Sequence, residues 1–195
     1  NEKDISTPQF MKEIIAEITS LARRSSDINQ RSGVSVRVSI ANYETIISNA
    51  VRRSIMRGEK GVCPRISDLP FIVSSFTGKV ELETFEEGRE GKVLEELSKK
   101  AVLNAFGRFV DGKDLDGMIL QFDEGLAVET GSEKASKDYM ELLDRVEGLP
   151  QVVKQLGATG KPETVASATE FVLEGLHLNR RLNRDRTDGG FRYRS

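Results

Sequence analysis

Hydrophobic residues recur at three- and four-residue steps along most of the chain, as they do on one face of an α-helix. The first such stripe follows Thr7 and Pro8, a pair typical of a helix start because threonine can cap a helix and proline suits its first turn. Apart from a possible extended stretch at residues 126–131, strand signals are scarce. The sequence therefore predicts a mainly α fold with few or no strands. The predicted helices cover about residues 8–26, 36–57, 68–77, 88–110, 114–123, 133–147, 149–156 and 162–184.

The helix predicted over residues 36–57 is bounded by Ser35, which we expect at its N-cap, and by Gly58, which we expect to stop it. One side of this helix is lined by Val36, Ile40, Tyr43, Ile47, Ala50 and Ser54. Its first turn carries Arg37, although a cation is mildly unfavourable where the helix dipole is positive. Two interpretations stay open. Arg37 is either an exposed side chain without a role or a guanidinium that, beside the free helix amides, binds a phosphate from elsewhere.

The charge balance changes near residue 79. Residues 81–133 carry 14 acidic and six basic residues, whereas residues 12–65 carry ten basic and five acidic ones. We therefore predict a small helical domain over residues 1–78 and a second helical region over residues 79–195. The basic, glycine-containing tail at residues 184–195 is expected to be ordered only if another part of the molecule holds it.

Composition excludes several classes of protein. The net charge is −2 and charged residues make up 31% of the chain, so bulk charge does not indicate nucleic-acid binding. The single cysteine rules out a disulfide framework and a Cys-rich zinc site, and it fits the cytoplasm. No apolar run reaches the roughly 18 residues of a membrane span, so no membrane partner is expected. Because the chain opens with Asn1 on a helix-start signal, we expect a fragment of a longer protein.

Motifs that resemble catalytic elements are incomplete. The stretches "GREGKV" at 88–93 and "GATGKP" at 157–162 have two residues between their glycines instead of four, and no hydroxyl follows the lysine, so neither is a Walker A loop. "MILQFDEG" at 118–125 resembles a Walker B strand, but its apolar spacing predicts a helix. Neither His177 nor Cys63 has a recognisable catalytic partner. We predict no catalytic residue and no metal ligand.

The stretch "SGVSVRVS" at 32–39 resembles the sensor-2 element of AAA+ ATPases of the MoxR and magnesium-chelatase clade. In that clade a Gly-x-Ser-x-Arg turn opens a helix of the lid subdomain. Gly33, Ser35 and Arg37 match its glycine, serine and arginine, while Val36 stands where many members have proline.

A second stretch, "GEKGVCPRISDL" at 58–69, is similar to the pattern that closes the same lid. Val62, Pro64 and Asp68 match it, with Asp68 one residue later than usual. The rest of the chain looks like the helical C-terminal extension of these proteins. The resemblance therefore implies an AAA+ lid over residues 1–78 and a helical interaction domain over residues 79–195.

The resemblance also implies a function. Arg37 would contact the γ-phosphate of ATP, with Gly33 and Ser35 forming the turn beside it. ATP and Mg²⁺ would be cofactors of the intact, ring-forming ATPase and not of this fragment alone. The Walker motifs would belong to a large subdomain outside this chain, so the fragment should be inactive. Its partners would be that subdomain, neighbouring subunits and an unidentified client that the intact protein remodels or matures in a chaperone-like manner.

Two other functions are open to test. A helical protein-interaction module without any nucleotide role is the main alternative. A helix-turn-helix built from residues 8–26 and 36–57 would use Arg52, Arg53 and Arg57 on nucleic acid. Its connecting loop of about nine residues exceeds the usual three or four, and the chain is net acidic, both of which argue against it.

Overall fold

The computed structural model describes residues 3–29, 33–83, 88–112 and 115–195. Within these ranges the chain folds into eight α-helices, two short 3-10 helices and five short strands, which confirms the predicted mainly α fold with few strands. The α-helices are α1 (Gln9–Ala22), α2 (Val36–Met56), α3 (Val73–Phe76), α4 (Arg89–Phe109), α5 (Asp116–Asp123), α6 (Met140–Arg145), α7 (Leu149–Gln155) and α8 (Pro162–Leu178). The 3-10 helices are Ile66–Ile72 and Ser136–Tyr139. The strands are β1 (Asp4–Ile5), β2 (Gly61–Val62), β3 (Val128–Gly131), β4 (Asn183–Thr187) and β5 (Gly190–Arg194).

Helix α8 lies at the centre of the molecule, and every residue from 163 to 176 is buried. Helix α4 packs against both α1 and α8. The ring of Phe171 stacks on Phe10 of α1 with 4.4 Å between centroids and meets Phe106 of α4 edge-on at 5.9 Å. Gly175 allows α4 and α8 to approach closely, because a Cβ at this position would lie 1.9 Å from the Phe106 ring.

The predicted domain boundary near residue 78 lies between elements that touch each other. Helix α1 precedes it and packs on α4, and the Ile66–Ile72 helix packs on α8. Buried hydrophobic residues from both sides belong to one core cluster. The division into residues 1–78 and 79–195 stays a prediction.

The C-terminal tail folds into a β-hairpin of β4 and β5, and β5 also pairs antiparallel with β3. Gly190 faces Gly131 across this pairing, and a Cβ on Gly190 would lie 1.9 Å from the Thr130 carbonyl oxygen. The helix predicted over residues 162–184 therefore ends earlier, at Leu178. The tail is ordered because β3 and α8 hold it, which is the condition that the sequence left open.

The remaining differences from the predicted elements are small. The helix predicted over residues 133–147 is a 3-10 turn followed by the short α6, and α1 ends at Ala22. Strand β3 falls on the one stretch predicted to be extended. No helix within the described ranges is long and apolar enough to cross a membrane.

Candidate functional site

The entrance of α2 is fixed by contacts to α1. Gly33 has a left-handed backbone with φ of 69°, and the buried Val34 follows it. The Arg23 Nε donates a hydrogen bond of 2.9 Å to the Val34 carbonyl oxygen. Ser35 occupies the N-cap in an extended conformation, as predicted, although its hydroxyl makes no capping hydrogen bond. These contacts determine where α2 begins and where its first turn faces.

Arg37 lies in that first turn and is exposed. Its side chain forms no hydrogen bond or ion pair with any part of the chain that the structure describes. The first turn of α2 also lacks an acidic residue. The positive helix end and the guanidinium therefore reinforce each other without a counter-charge from the described residues, which is an arrangement that attracts an anion.

Three apolar side chains beside Arg37 are also exposed. Val36, Ile40 and Tyr43 have exposed fractions of 64%, 55% and 37%. Their spacing of four and three residues places them on one side of α2, as the sequence pattern predicted. We call Val36, Arg37, Ile40 and Tyr43 the outer face of α2. A contiguous exposed apolar patch with a cation at its edge is typical of a surface that contacts another molecule.

The opposite side of α2 is buried and combines the apolar Val38 and Ile46 with polar side chains. Asn42 accepts a hydrogen bond of 2.8 Å from the Ser75 hydroxyl, and Asn49 donates one of 2.5 Å to the Asp68 carboxylate. Arg53 binds the same carboxylate and donates 2.7 Å to the Cys63 carbonyl oxygen. The inner side of α2 is thus held both by apolar packing and by specific hydrogen bonds, while Val36, Ile40 and Tyr43 remain exposed.

Asp68 stands at the centre of these contacts and is fully buried. Besides Asn49 and Arg53, it accepts a hydrogen bond of 2.8 Å from the Arg65 backbone amide. Burial by itself lowers the pKa of the Arg53 guanidinium, but Asp68 outweighs it and raises that pKa above its usual value. The Asp68–Arg53 pair joins α2 to the Ile66–Ile72 helix.

Arg65 extends the buried polar network to the C-terminal half of the chain. Its guanidinium donates a hydrogen bond of 2.9 Å to the Lys134 carbonyl oxygen and one of 2.5 Å to the Ser136 hydroxyl. It lies 3.3 Å from the Glu59 carboxylate. It also lies 5.0 Å from the Tyr139 ring centroid. These contacts tie together segments that are about 70 residues apart in sequence.

Tyr139 links this network to α8. Its hydroxyl donates a hydrogen bond of 2.6 Å to the Glu170 carboxylate and accepts one of 3.1 Å from the Gly131 amide. Burial, and after it the charge of Glu170, raises the pKa of Tyr139 well above its usual value. Because its members bind one another and are buried, the network stabilises the fold and offers no accessible acid or base.

Sequence reasoning missed the three carboxylates on which α8 depends, Glu163, Glu170 and Glu174. All three are buried, and their spacing of seven and four residues places them on one side of the helix. That spacing, inside an otherwise apolar segment, is the signal that could have indicated buried partners for them.

The other candidates from the sequence occupy structural positions. Cys63 is buried, and burial raises the pKa of its thiol to about 12, so it is not a reactive nucleophile. His177 is half-buried with its Nδ1 3.0 Å from the Leu182 carbonyl oxygen. Residues 118–123 are helical, as predicted. The glycine-containing stretch at 88–93 begins α4, and the one at 157–162 connects α7 to α8.

No group of three or more His, Cys, Asp or Glu side chains that could hold a metal ion occurs in the part of the chain that the structure describes. No protein-family model matches the chain, and no curated protein or solved structure shows a significant similarity to it. The outer face of α2 is therefore interpreted on its own geometry and on the resemblance noted above.

Proposed function

We propose that this chain is the C-terminal portion of a MoxR-like or magnesium chelatase-like AAA+ ATPase. In this proposal residues 1–78 form the lid subdomain, and Arg37 is its sensor-2 arginine. One observation carries the proposal: Arg37 is exposed and lacks a counter-charge in the described chain, at the positive end of a helix whose position other contacts fix. An arginine without a role would not require a helix start that the contact between Arg23 and Val34 holds in place.

The chemistry of this entrance fits a phosphate. The guanidinium offers a planar set of donors, and the free amides of the first turn add further donors beside it. ATP, when bound, would supply the terminal phosphate that is lost on hydrolysis. Mg²⁺ would be held by the large subdomain, as the resemblance implies.

Arg37 would convert the presence of that phosphate into a lid position. A contact that exists with ATP and is lost after hydrolysis favours one lid orientation over another, which is how a local charge change becomes a movement. Val36, Ile40 and Tyr43 would form the surface on which the large subdomain packs, which accounts for their exposure here. The fragment alone would hydrolyse nothing.

The proposal places the intact protein in the cytoplasm as a ring-forming, chaperone-like ATPase. Residues 79–195 would then dock neighbouring subunits or a client protein. The buried network through Arg65 and Tyr139 supports this division of labour, because it connects the lid to the C-terminal helices without flexible linkage.

The test is Arg37→Ala in the intact protein. ATP turnover should fall about tenfold or more, as expected when a charge-assisted hydrogen bond to a phosphate is removed. Arg52→Ala is the matched control, because Arg52 is an exposed arginine on the same helix that already binds Asn49. Turnover and nucleotide affinity that are both unchanged in Arg37→Ala would remove the phosphate-sensing role.

A nucleotide-independent helical interaction module is the second candidate. The apolar outer face of α2 favours it, because such a patch suits a protein partner whether or not a nucleotide is involved. The coding sequence immediately upstream of Asn1 distinguishes the two. A Walker A motif there supports the ATPase, whereas a start codon directly before Asn1 supports the interaction module.

A further inference from the structure

A half-open groove of about 380 Å³ lies between α4, the Ile66–Ile72 helix and the C-terminal hairpin. Its volume falls within the range of about 300–1,000 Å³ that small-molecule sites occupy. Its walls are largely apolar and include Leu69, Leu94, Val102 and Phe191. None of the lining residues belongs to α2, so the groove is separate from the outer face of that helix.

The hairpin contributes cations to this groove because of its register. Arg184 and Arg186 pair with Tyr193 and Phe191, so these four side chains share the inner face of the hairpin. The guanidinium of Arg184 lies 4.1 Å from the centroid of the Phe191 ring. Alternate residues such as Arg192 point to the other face. Two arginines therefore line this largely apolar groove, together with Glu95, Lys99 and Glu174.

The internal charges of the groove are largely paired. Both oxygens of Glu174 are bound by Arg184, at 2.6 and 2.8 Å, and the Tyr193 hydroxyl donates 2.7 Å to the same carboxylate. Glu95 pairs with Lys99 at 2.8 Å. The side chain of Arg186 is exposed and forms no ion pair or hydrogen bond with the described residues. Lys99 also pairs with Glu96 at 3.3 Å, so Arg186 is the cation of this groove whose guanidinium keeps its hydrogen-bond donors unused within the described residues.

We propose that this groove binds a small amphiphilic carboxylate, with its apolar body on α4 and Phe191 and its carboxylate on Arg186. A guanidinium matches a carboxylate with two parallel hydrogen bonds, which fixes the orientation of the ligand. A neutral apolar ligand would leave Arg186 unused, and a small inorganic anion would leave the apolar wall uncovered. The two halves of the groove together therefore select a ligand that has both features.

The experiment titrates the 195-residue chain with octanoate and follows binding by calorimetry and by ¹H–¹⁵N NMR. Two further probes separate the features of the ligand: acetate carries the charge without the chain, and 1-octanol carries the chain without the charge. Octanoate should bind saturably, with shift changes in α4 and the hairpin. Both acetate and 1-octanol should bind at least about tenfold more weakly.

Two variants locate the charge contact. Arg186→Gln should weaken octanoate binding about tenfold or more, whereas Arg192→Gln should leave it unchanged. Each removes one exposed arginine from the same hairpin, on opposite faces, and circular dichroism checks that both remain folded. Equal effects of the two variants, equal binding of 1-octanol, or no saturable octanoate binding would each overturn the proposal. Arg37→Ala should not change octanoate binding, so this test is independent of the proposed ATPase role.

Discussion

Helices α2 and α8 differ in which side chains they bury and which they expose. Every residue of α8 from 163 to 176 is buried, including the carboxylates of Glu163, Glu170 and Glu174. Helix α2 exposes apolar side chains on its outer face and buries asparagines and an arginine on its inner face. Both helices bury apolar residues, but α8 also buries charged residues and α2 also exposes apolar ones, and these are the exceptions to the usual distribution.

The difference lies in whether the unusual residues have partners. Glu163 accepts 2.9 Å from the Gly61 amide, Glu170 accepts 2.6 Å from Tyr139, and Glu174 binds Arg184. A buried carboxylate requires such partners, because desolvation of an unpaired charge is costly. The unusual residues of α8 are thus explained within the molecule. On the outer face of α2, the one such internal contact that the described residues make is the 3.1 Å hydrogen bond between the Thr7 and Tyr43 hydroxyls, and Val36, Arg37 and Ile40 stay exposed.

The largest effect is expected where the buried network loses its central charge. Asp68→Ala removes the carboxylate that neutralises Arg53 and leaves a buried guanidinium unpaired. Removing one partner of a buried ion pair costs about 3–5 kcal/mol, so the free energy of unfolding in urea should fall by that amount. Asp185→Ala is the control, because its pair with Arg194 is exposed and should contribute little. Similar losses in the two variants would show that the Asp68 network does not hold α2 in place.

A smaller effect is expected where α8 loses a single hydroxyl. Tyr139→Phe removes the hydroxyl that donates to Glu170 and accepts from the Gly131 amide, while Glu170 keeps the 2.9 Å hydrogen bond from the Ser67 amide, and it should cost about 1–3 kcal/mol of unfolding free energy. Tyr193→Phe should cost less, because Arg184 still binds both oxygens of Glu174. The comparison separates a carboxylate that a guanidinium binds at 2.6 and 2.8 Å, Glu174, from one whose guanidinium neighbour, Arg65, lies 4.0 Å away, Glu170.

The same variant changes the response to alkaline pH. Burial raises the pKa of Tyr139 in the folded protein, whereas an unfolded tyrosine ionises near pH of about 10. Above that pH the unfolded state binds fewer protons than the native state, so the free energy of unfolding falls as pH rises. Urea unfolding of Tyr139→Phe should show a shallower fall than the parent chain. An equal slope would mean that Tyr139 ionises equally in both states.

The sequence allows the prediction of most helices, since their apolar spacing and their capping residues are local features. Ser35 and Gly58 bound α2 correctly for this reason. The hairpin of β4 and β5 could not be predicted from the sequence, because β3 and Glu174 hold it and no local sequence pattern connects them to the tail. The side of α2 that faces solvent could not be predicted either, because apolar spacing identifies a stripe but not what covers it.

The smallest effect on stability is expected for Ile40, and it is measured against its buried neighbour on the same helix, Ile46. Ile46 is fully buried, so Ile46→Ala should cost about 2–5 kcal/mol of unfolding free energy. Ile40 is 55% exposed, so Ile40→Ala should change the stability of this chain by no more than about 0.5 kcal/mol, in spite of an equal loss of apolar volume. Urea unfolding of both variants measures the contrast. If Ile40→Ala destabilised the isolated chain as strongly as Ile46→Ala, the outer face of α2 would belong to the core and would not be free to meet a partner. A neutral Ile40→Ala that lowers ATP turnover in the intact protein would instead show that this side chain acts through a contact made outside the chain.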